Sequence, residues 1–323
     1  LSLSDVMQEL IQEQKLYFIE VAADSWLDID TKKDLPDTIK WSKFSGAEWA
    51  KDNSGFYYSR YSEPKTGDEY EELNRNQTLF FHSIGESQSN DKLIYERPDK
   101  PEWGWGTTVT EDGSYLLLSV SEGTDERNRI FYQDLSTENN SFIELIPELI
   151  GQFIFLGNIG SEFLFFTDFK APKGTIISIN INNPQKTNWK TLVAEADDAL
   201  TRVELLDNYI LCQYLKDVSS EILLFNKKTF SKKKISFDKK GIISGITTTQ
   251  DSDVFYFSFT NYIQPNEIYQ YNAINDRINL LWKKQVPDYK PEDYLSKQLF
   301  YPSKDGTLIP MYISYKKDIN LDH

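Results

Sequence analysis

The sequence predicts an all-β chain built as a β-propeller of four-stranded blades, and three observations carry that reading. Strongly β-prone segments recur at residues 55–61, 115–120, 162–166, 209–214 and 253–259. After a longer first interval they are spaced by roughly 44–47 residues, the period of a four-stranded propeller blade. Turn signals fall where hairpins need them, at Asn53-Ser-Gly55, Glu111-Asp-Gly113 and Asn158-Ile-Gly160, because glycine accepts the positive φ of a tight turn.

The elements follow in chain order. In residues 1–14, Leu3, Val6, Met7, Leu10 and Ile11 fall at helical spacing, with Ser2 or Ser4 placed to cap, so a short amphipathic helix is expected. Residues 16–22 and 26–30 read as two strands of an incomplete blade. Each prominent strand is preceded by another, at residues 46–52, 107–111, 153–157, 201–206 and 242–249. A third strand follows at 78–82, 129–132, 175–179, 221–225 and 267–271, and a fourth at 92–95, 142–145, 189–192, 234–237 and 278–281. Five complete blades and a partial one are therefore readable. Residues 294–301 read as a lone strand, after which Lys304-Asp-Gly306 turns into a new hairpin at 307–315. The expected organisation is an N-terminal helix and partial blade in residues 1–34, blades in 35–301, and the start of a departing hairpin in 302–323. With no Met at position 1, this pattern suggests one domain of a larger protein.

Composition narrows the function. Thirty-five Lys+Arg against 50 Asp+Glu leave a net charge of −15, which repels nucleic acid and anionic membrane surfaces. The single cysteine, Cys212, rules out an internal disulfide framework and a Cys-rich metal site, and fits a reducing, cytoplasmic setting. Two histidines among 323 residues leave almost no material for a His-based metal site or a Ser-His-Asp triad. No apolar run reaches the ~18 residues of a membrane span, and the N-terminus lacks the basic n-region of a signal peptide. No metal and no cofactor are expected.

The individual candidates for chemistry are weak. His82 ends a strand beside Phe80 and Phe81 with Ser83 next to it. One His-Ser neighbour pair falls far short of a triad, so an ordinary strand residue is expected. Cys212 shares a strand face with Ile210 and Tyr214 and reads as a small core hydrophobe. The acidic segments 68–72 and 195–198 lack the alternating ligands and central glycine of a Ca²⁺ loop and read as solvated loops. Lys227-Lys228 and Lys232-Lys-Lys234 flank Phe230 and read as an edge guarded against strand pairing. No Gly-x-Ser-x-Gly occurs; Gly241-Ile-Ile-Ser-Gly245 has the wrong spacing.

Several segments together resemble the propeller portion of the prolyl oligopeptidases, serine peptidases of the α/β-hydrolase superfamily. They are Leu35-Pro-Asp37, Lys43-Phe-Ser-Gly46 with Trp49, residues 55–61, Pro101-Glu-Trp-Gly104, Glu111-Asp-Gly113, Ser121-Glu-Gly-Thr-Asp125 with Asn128-Arg129, and residues 300–311. The last marks the crossing from propeller to catalytic domain in that family. The resemblance runs from about residue 35 to the C-terminus. It departs in blade number, since the family has seven, and residues 1–22 do not resemble the family's N-terminal segment.

The resemblance implies a gating, substrate-filtering domain of a serine endopeptidase that cleaves short peptides after proline. The chain itself is expected to be non-catalytic, because the family's nucleophile, acid and histidine have no counterpart here. Its partners would be short proline-containing peptides and its own catalytic domain. The resemblance implies substrate-pocket positions at Phe44 and Thr124. Ser121 replaces a basic residue that some members use to hold substrate. Gly104 stands where some have a larger apolar residue, and Trp105 beside it could fill the space. The alternative is a stand-alone propeller serving as an interaction scaffold, although no blade carries a Gly-His…Trp-Asp signature.

Overall fold

The computed structural model describes residues 37–43, 45–63, 75–137, 141–237 and 239–319. It is all-β apart from short 3-10 turns, with five four-stranded sheets and one two-stranded sheet among the described residues. In every four-stranded sheet the spatial order is the chain order, the up-and-down meander of a propeller blade. The first sheet is β1 (Glu48–Trp49), β2 (Gly55–Arg60), β3 (Thr78–Ser83) and β4 (Lys92–Tyr95). The second is β5 (Trp103–Val109), β6 (Tyr115–Glu122), β7 (Arg129–Asp134) and β8 (Ile143–Ile146). The third comprises β9 (Phe153–Ile159), β10 (Glu162–Thr167), β11 (Thr175–Asn180) and β12 (Lys190–Val193). The fourth comprises β13 (Ala199–Leu205), β14 (Tyr209–Lys216), β15 (Ser219–Asn226) and β16 (Lys232–Lys234), and the fifth β17 (Ile242–Thr247), β18 (Val254–Thr260), β19 (Glu267–Asn272) and β20 (Arg277–Lys283).

Three strands depart from the sequence expectation, the first being β16, which spans Lys232–Lys234 where a strand at 234–237 was expected. β5 starts earlier than residue 107, which makes Trp103 and Trp105 strand residues buried in the sheet. Residues 294–301 are not a lone strand: β21 (Tyr294–Pro302) pairs antiparallel with β22 (Leu308–Lys316). The expected helix in 1–14 and the strands at 16–22 and 26–30 lie outside the described residues.

The chain divides into two compact units, residues 1–116 with 134–140 and residues 117–133 with 141–323. In the second unit, period-2 alternation explains how one strand serves two cores. On β14, Ile210, Cys212 and Tyr214 pack with Leu164 and Ile176 of the third sheet. Leu211, facing the other way, packs with Phe255, Phe257 and Phe259 of the fifth. β18 alternates strictly, and its three phenylalanines are at most 1% exposed. Phe257 stacks on Tyr269 at 5.4 Å and Phe237 meets Phe259 edge-on at 5.0 Å.

Sheet edges need partners for their backbone groups, and side chains supply them. Gln77 Oε1 accepts from Trp105 N (2.9 Å) and Glu48 Oε1 from Val109 N (2.9 Å) in the first unit. In the second, Gln213 Nε2 donates to Ile243 O (2.9 Å) and Arg202 Nη2 to Ile246 O (2.8 Å).

The β21–β22 hairpin belongs to the second unit and rests on it by one face. Gln298 donates to Asp217 O (2.7 Å), Tyr312 OH lies 2.7 Å from Ser219 Oγ, and its ring is 5.0 Å from that of Tyr262. By register, the other face carries Leu295, Leu299, Tyr301, Met311 and Ile313, all of them exposed.

Candidate functional site

The loop from β6 to β7 displays two of the expected pocket residues, Ser121 at the end of β6 and Thr124 in the turn, both exposed. Its conformation is dictated locally. Gly123 takes φ 57° and Asp125 N donates to Glu122 O (3.2 Å), closing a tight turn that a side chain at position 123 would strain. The Asp125 carboxylate then accepts from Arg127 N (2.9 Å), Arg127 Nε (2.9 Å) and Nη2 (2.6 Å). Those bonds, the guanidinium's first, hold the Asp125 carboxyl down to about 2. At the neck, Arg129 Nη2 donates to Glu122 Oε2 (2.9 Å) and Nε to Pro147 O (3.0 Å).

Trp105 lies in the other unit, 5% exposed, with its ring edge-on to Tyr95 at 5.2 Å. Its indole Nε1 is buried with no hydrogen-bond partner among the described residues. Phe44 lies outside the described residues. The structure therefore brings Ser121 and Thr124 together on one loop and describes Trp105 in its own unit.

His82 proves more than an ordinary strand residue. Its side chain is fully buried, with Nδ1 2.7 Å from Asp91 Oδ1 and Nε2 2.9 Å from Asp37 Oδ1. A carboxylate on each nitrogen means that both ring N–H groups donate, which is the imidazolium form. Burial pushes the imidazole down, but the bonds and charges of Asp91 and Asp37 outweigh it, so His82 titrates above its ordinary value. Tyr58 OH donates to Asp91 Oδ2, Gly85 N to Asp37 Oδ1 (2.7 Å) and Gln88 Nε2 to Tyr58 OH (3.0 Å). Gln88 also exchanges two bonds with the backbone of Lys40, at 3.1 and 3.0 Å. The cluster pins residues 37–40 to the first blade. It cannot activate a nucleophile, since neither ring nitrogen has a lone pair to take a proton. Asp37 and Asp91, 45 and 9 residues from His82, carried no periodic signal by which the sequence could single them out.

The other candidates are structural. Cys212 is fully buried, and burial pushes its thiol far up. Glu195 accepts from Lys173 N (2.6 Å) and Asp198 lies 3.6 Å from Lys216; segment 68–72 lies outside the described residues. No group of three or more His, Cys, Asp or Glu among the described residues is arranged to hold a metal, and no helix there is long and apolar enough to cross a membrane. Lys232–Lys234 form the edge strand β16, where Lys233 Nζ donates to Ala273 O (2.5 Å) and Lys234 pairs with Glu221.

Comparison with known proteins places these features in a family. The prolyl oligopeptidase N-terminal β-propeller domain matches residues 25–284. A prolyl endopeptidase of Elizabethkingia meningoseptica is 33% identical over 311 residues, 95% of this chain and 43% of that protein. A dual function macrocyclase-peptidase of Galerina marginata is 28% identical over 89% of this chain and 40% of its own length. The apo structure of prolyl oligopeptidase B from Galerina marginata superposes with a TM-score of 0.79 at 28% identity, covering 88% of this chain and 40% of the other. The same protein has been solved with a 35-residue hydrolysis and macrocyclization substrate bound (TM-score 0.77, 28% identity, the same coverage). The chain spans about two fifths of the length of these relatives.

Proposed function

Because this chain belongs to the prolyl oligopeptidase N-terminal β-propeller family, we propose that it is the substrate-filtering domain of a serine peptidase that cleaves short peptides after proline. The observation that carries the reading is the family match over residues 25–284. Two structural features support it. The β6–β7 loop holds Ser121 and Thr124 exposed on a rigid base, and the hairpin's exposed apolar face, with Leu299 at 43% and Ile313 at 40% exposure, is suited to cover by a neighbouring catalytic domain.

The domain's contribution is physical. The radial blades of a propeller would leave a central channel, and a catalytic domain over one end of it would make a chamber that large folded substrates cannot enter. A water-poor chamber also strengthens the electrostatics of the chemical step. Phe44 would offer the proline ring an apolar contact, which Trp105, 5% exposed, could only back from within its sheet; Thr124 is taken separately as a polar group able to orient a ligand. Ser121, where some members of the family have a basic residue, offers no charge to capture a substrate, so there the peptide would be held by packing and neutral hydrogen bonds. The acyl-enzyme chemistry belongs to residues outside this chain, and a cytoplasmic setting suits the lone Cys212.

The test is peptidase assay with succinyl-Gly-Pro chromogenic substrates and a length series of proline peptides. The full-length protein should cleave after proline with a steep fall for long polypeptides, whereas the 323-residue chain should give no turnover. Full-length protein inert toward every proline peptide would overturn the reading. So would turnover by the purified chain that His82→Ala abolishes. A stand-alone scaffold would give neither activity, and no feature described above favours it.

A further inference from the structure

We infer that Asn128 is the positioning residue of the β6–β7 loop: it clamps the loop's base to the first strand of the next blade and so sets where Thr124 is presented. The inference rests on the reading of Thr124 as a pocket residue.

Asn128 is 8% exposed and makes four polar contacts. Its Oδ1 accepts from Phe153 N (2.6 Å), and its Nδ2 donates to Phe153 O (2.8 Å) and to Ser119 Oγ (2.7 Å). Its own N donates to Gly151 O (3.2 Å). The side-chain amide thus pairs with Phe153 as a strand residue would, donor to acceptor and acceptor to donor. Phe153 opens β9 and is itself 1% exposed, held between Phe165 and Trp189 at ring distances of 6.2 and 5.8 Å. The anchor point is therefore a rigid core position.

The rest of the loop transmits that fixity. From Asn128 the chain runs one residue to Arg129, whose guanidinium ties back to Glu122 across the neck. One residue the other way is Arg127, locked to Asp125, which closes the turn carrying Thr124. Residues 123–127 would otherwise sample many conformers, and ordering them on ligand arrival would weaken binding. A loop ordered before the ligand arrives avoids that cost. The exposed ion pairs are individually weak, which leaves the buried amide as the main determinant.

The experiment has one readout that needs no activity. A nitroxide label on Thr124→Cys in the 323-residue chain reports loop motion, and fully buried Cys212 stays unlabelled. Asn128→Asp keeps an acceptor for Phe153 N but sets a carboxylate against Phe153 O. The label should then tumble at least about twofold faster, while Asp125→Asn has a smaller effect. In the full-length protein, Asn128→Asp should raise KM for a proline peptide about tenfold with kcat within about twofold, as expected for lost positioning away from the reacting atoms. Unchanged label motion in folded Asn128→Asp overturns the clamp. If that variant does not fold, Asn128→Ser, which removes the amide's bonds to Phe153 without adding a charge, must speed the label or the clamp is likewise overturned. Faster label motion with unchanged KM in an active enzyme leaves the clamp standing and overturns Thr124 as a pocket residue. In a protein with no prolyl activity, the label result alone decides the clamp.

Discussion

Replacing His82 by glutamine tests the buried charge cluster of the first blade. The native imidazolium donates to Asp91 at 2.7 Å and to Asp37 at 2.9 Å, and those carboxylate side chains are only 1% and 5% exposed. A glutamine amide carries no charge and can reach one carboxylate at a time. Asp91 would keep Tyr58 OH, and Asp37 would keep Gly85 N, while Asp37 Oδ2 has no partner among the described residues. Two buried anions without a counter-charge cost about 3–5 kcal/mol, the range for breaking a buried ion pair from one side. The pH dependence has a definite sign. The folded pKa of His82 is raised, so its stabilisation is complete below the unfolded value of about 6.5 and is lost as pH rises through the folded value. Within that window the slope approaches about 1.4 kcal/mol per pH unit. Denaturant unfolding of the chain at several pH values between 6 and about 10, for the parent and for His82→Gln, gives both quantities. The parent should lose stability above neutrality and the variant should show a flatter profile. Parallel profiles, or a destabilisation below about 1 kcal/mol, would refute the doubly bonded imidazolium.

Two further outcomes are expected. Gly55→Ala would set its Cβ 2.0 Å from the carbonyl oxygen of His82 and 2.7 Å from the Phe81 ring, across a pairing fixed by Gly55↔Ser83. It should cost about 3 kcal/mol or more or abolish folding, read by thermal unfolding. The isolated chain should self-associate through the exposed hairpin face, where Met311 is 38% and Ile313 40% exposed. Met311→Lys or Ile313→Lys should reduce the light-scattering mass, and a strictly monomeric parent at high concentration would refute the idea.

Strand positions and the blade repeat were determined by the sequence itself, because alternation with period 2 and the turn residues between strands are local properties. β18, with Phe255, Phe257 and Phe259 alternating, could be read from seven residues. The Ser121–Asp125 loop was singled out by family resemblance and by no local pattern; the turn at Gly123, φ 57°, was found in the structure. Boundaries were less legible where propensity is neutral, so β5 begins at Trp103 rather than 107. What only the tertiary structure decided are contacts between residues far apart in the chain. His82 becomes a charged anchor because folding delivers Asp37 from 45 residues away. Asn128 becomes a strand mimic because Phe153, 25 residues on, presents its backbone beside it. Residues 294–302 gain a partner because the register to Leu308–Lys316 closes over Gly306 at φ 85°. Polar side chains carry no periodic signature of their own. Their role follows from which donors and acceptors the packed sheets leave unpaired, and that is settled only when the sheets meet.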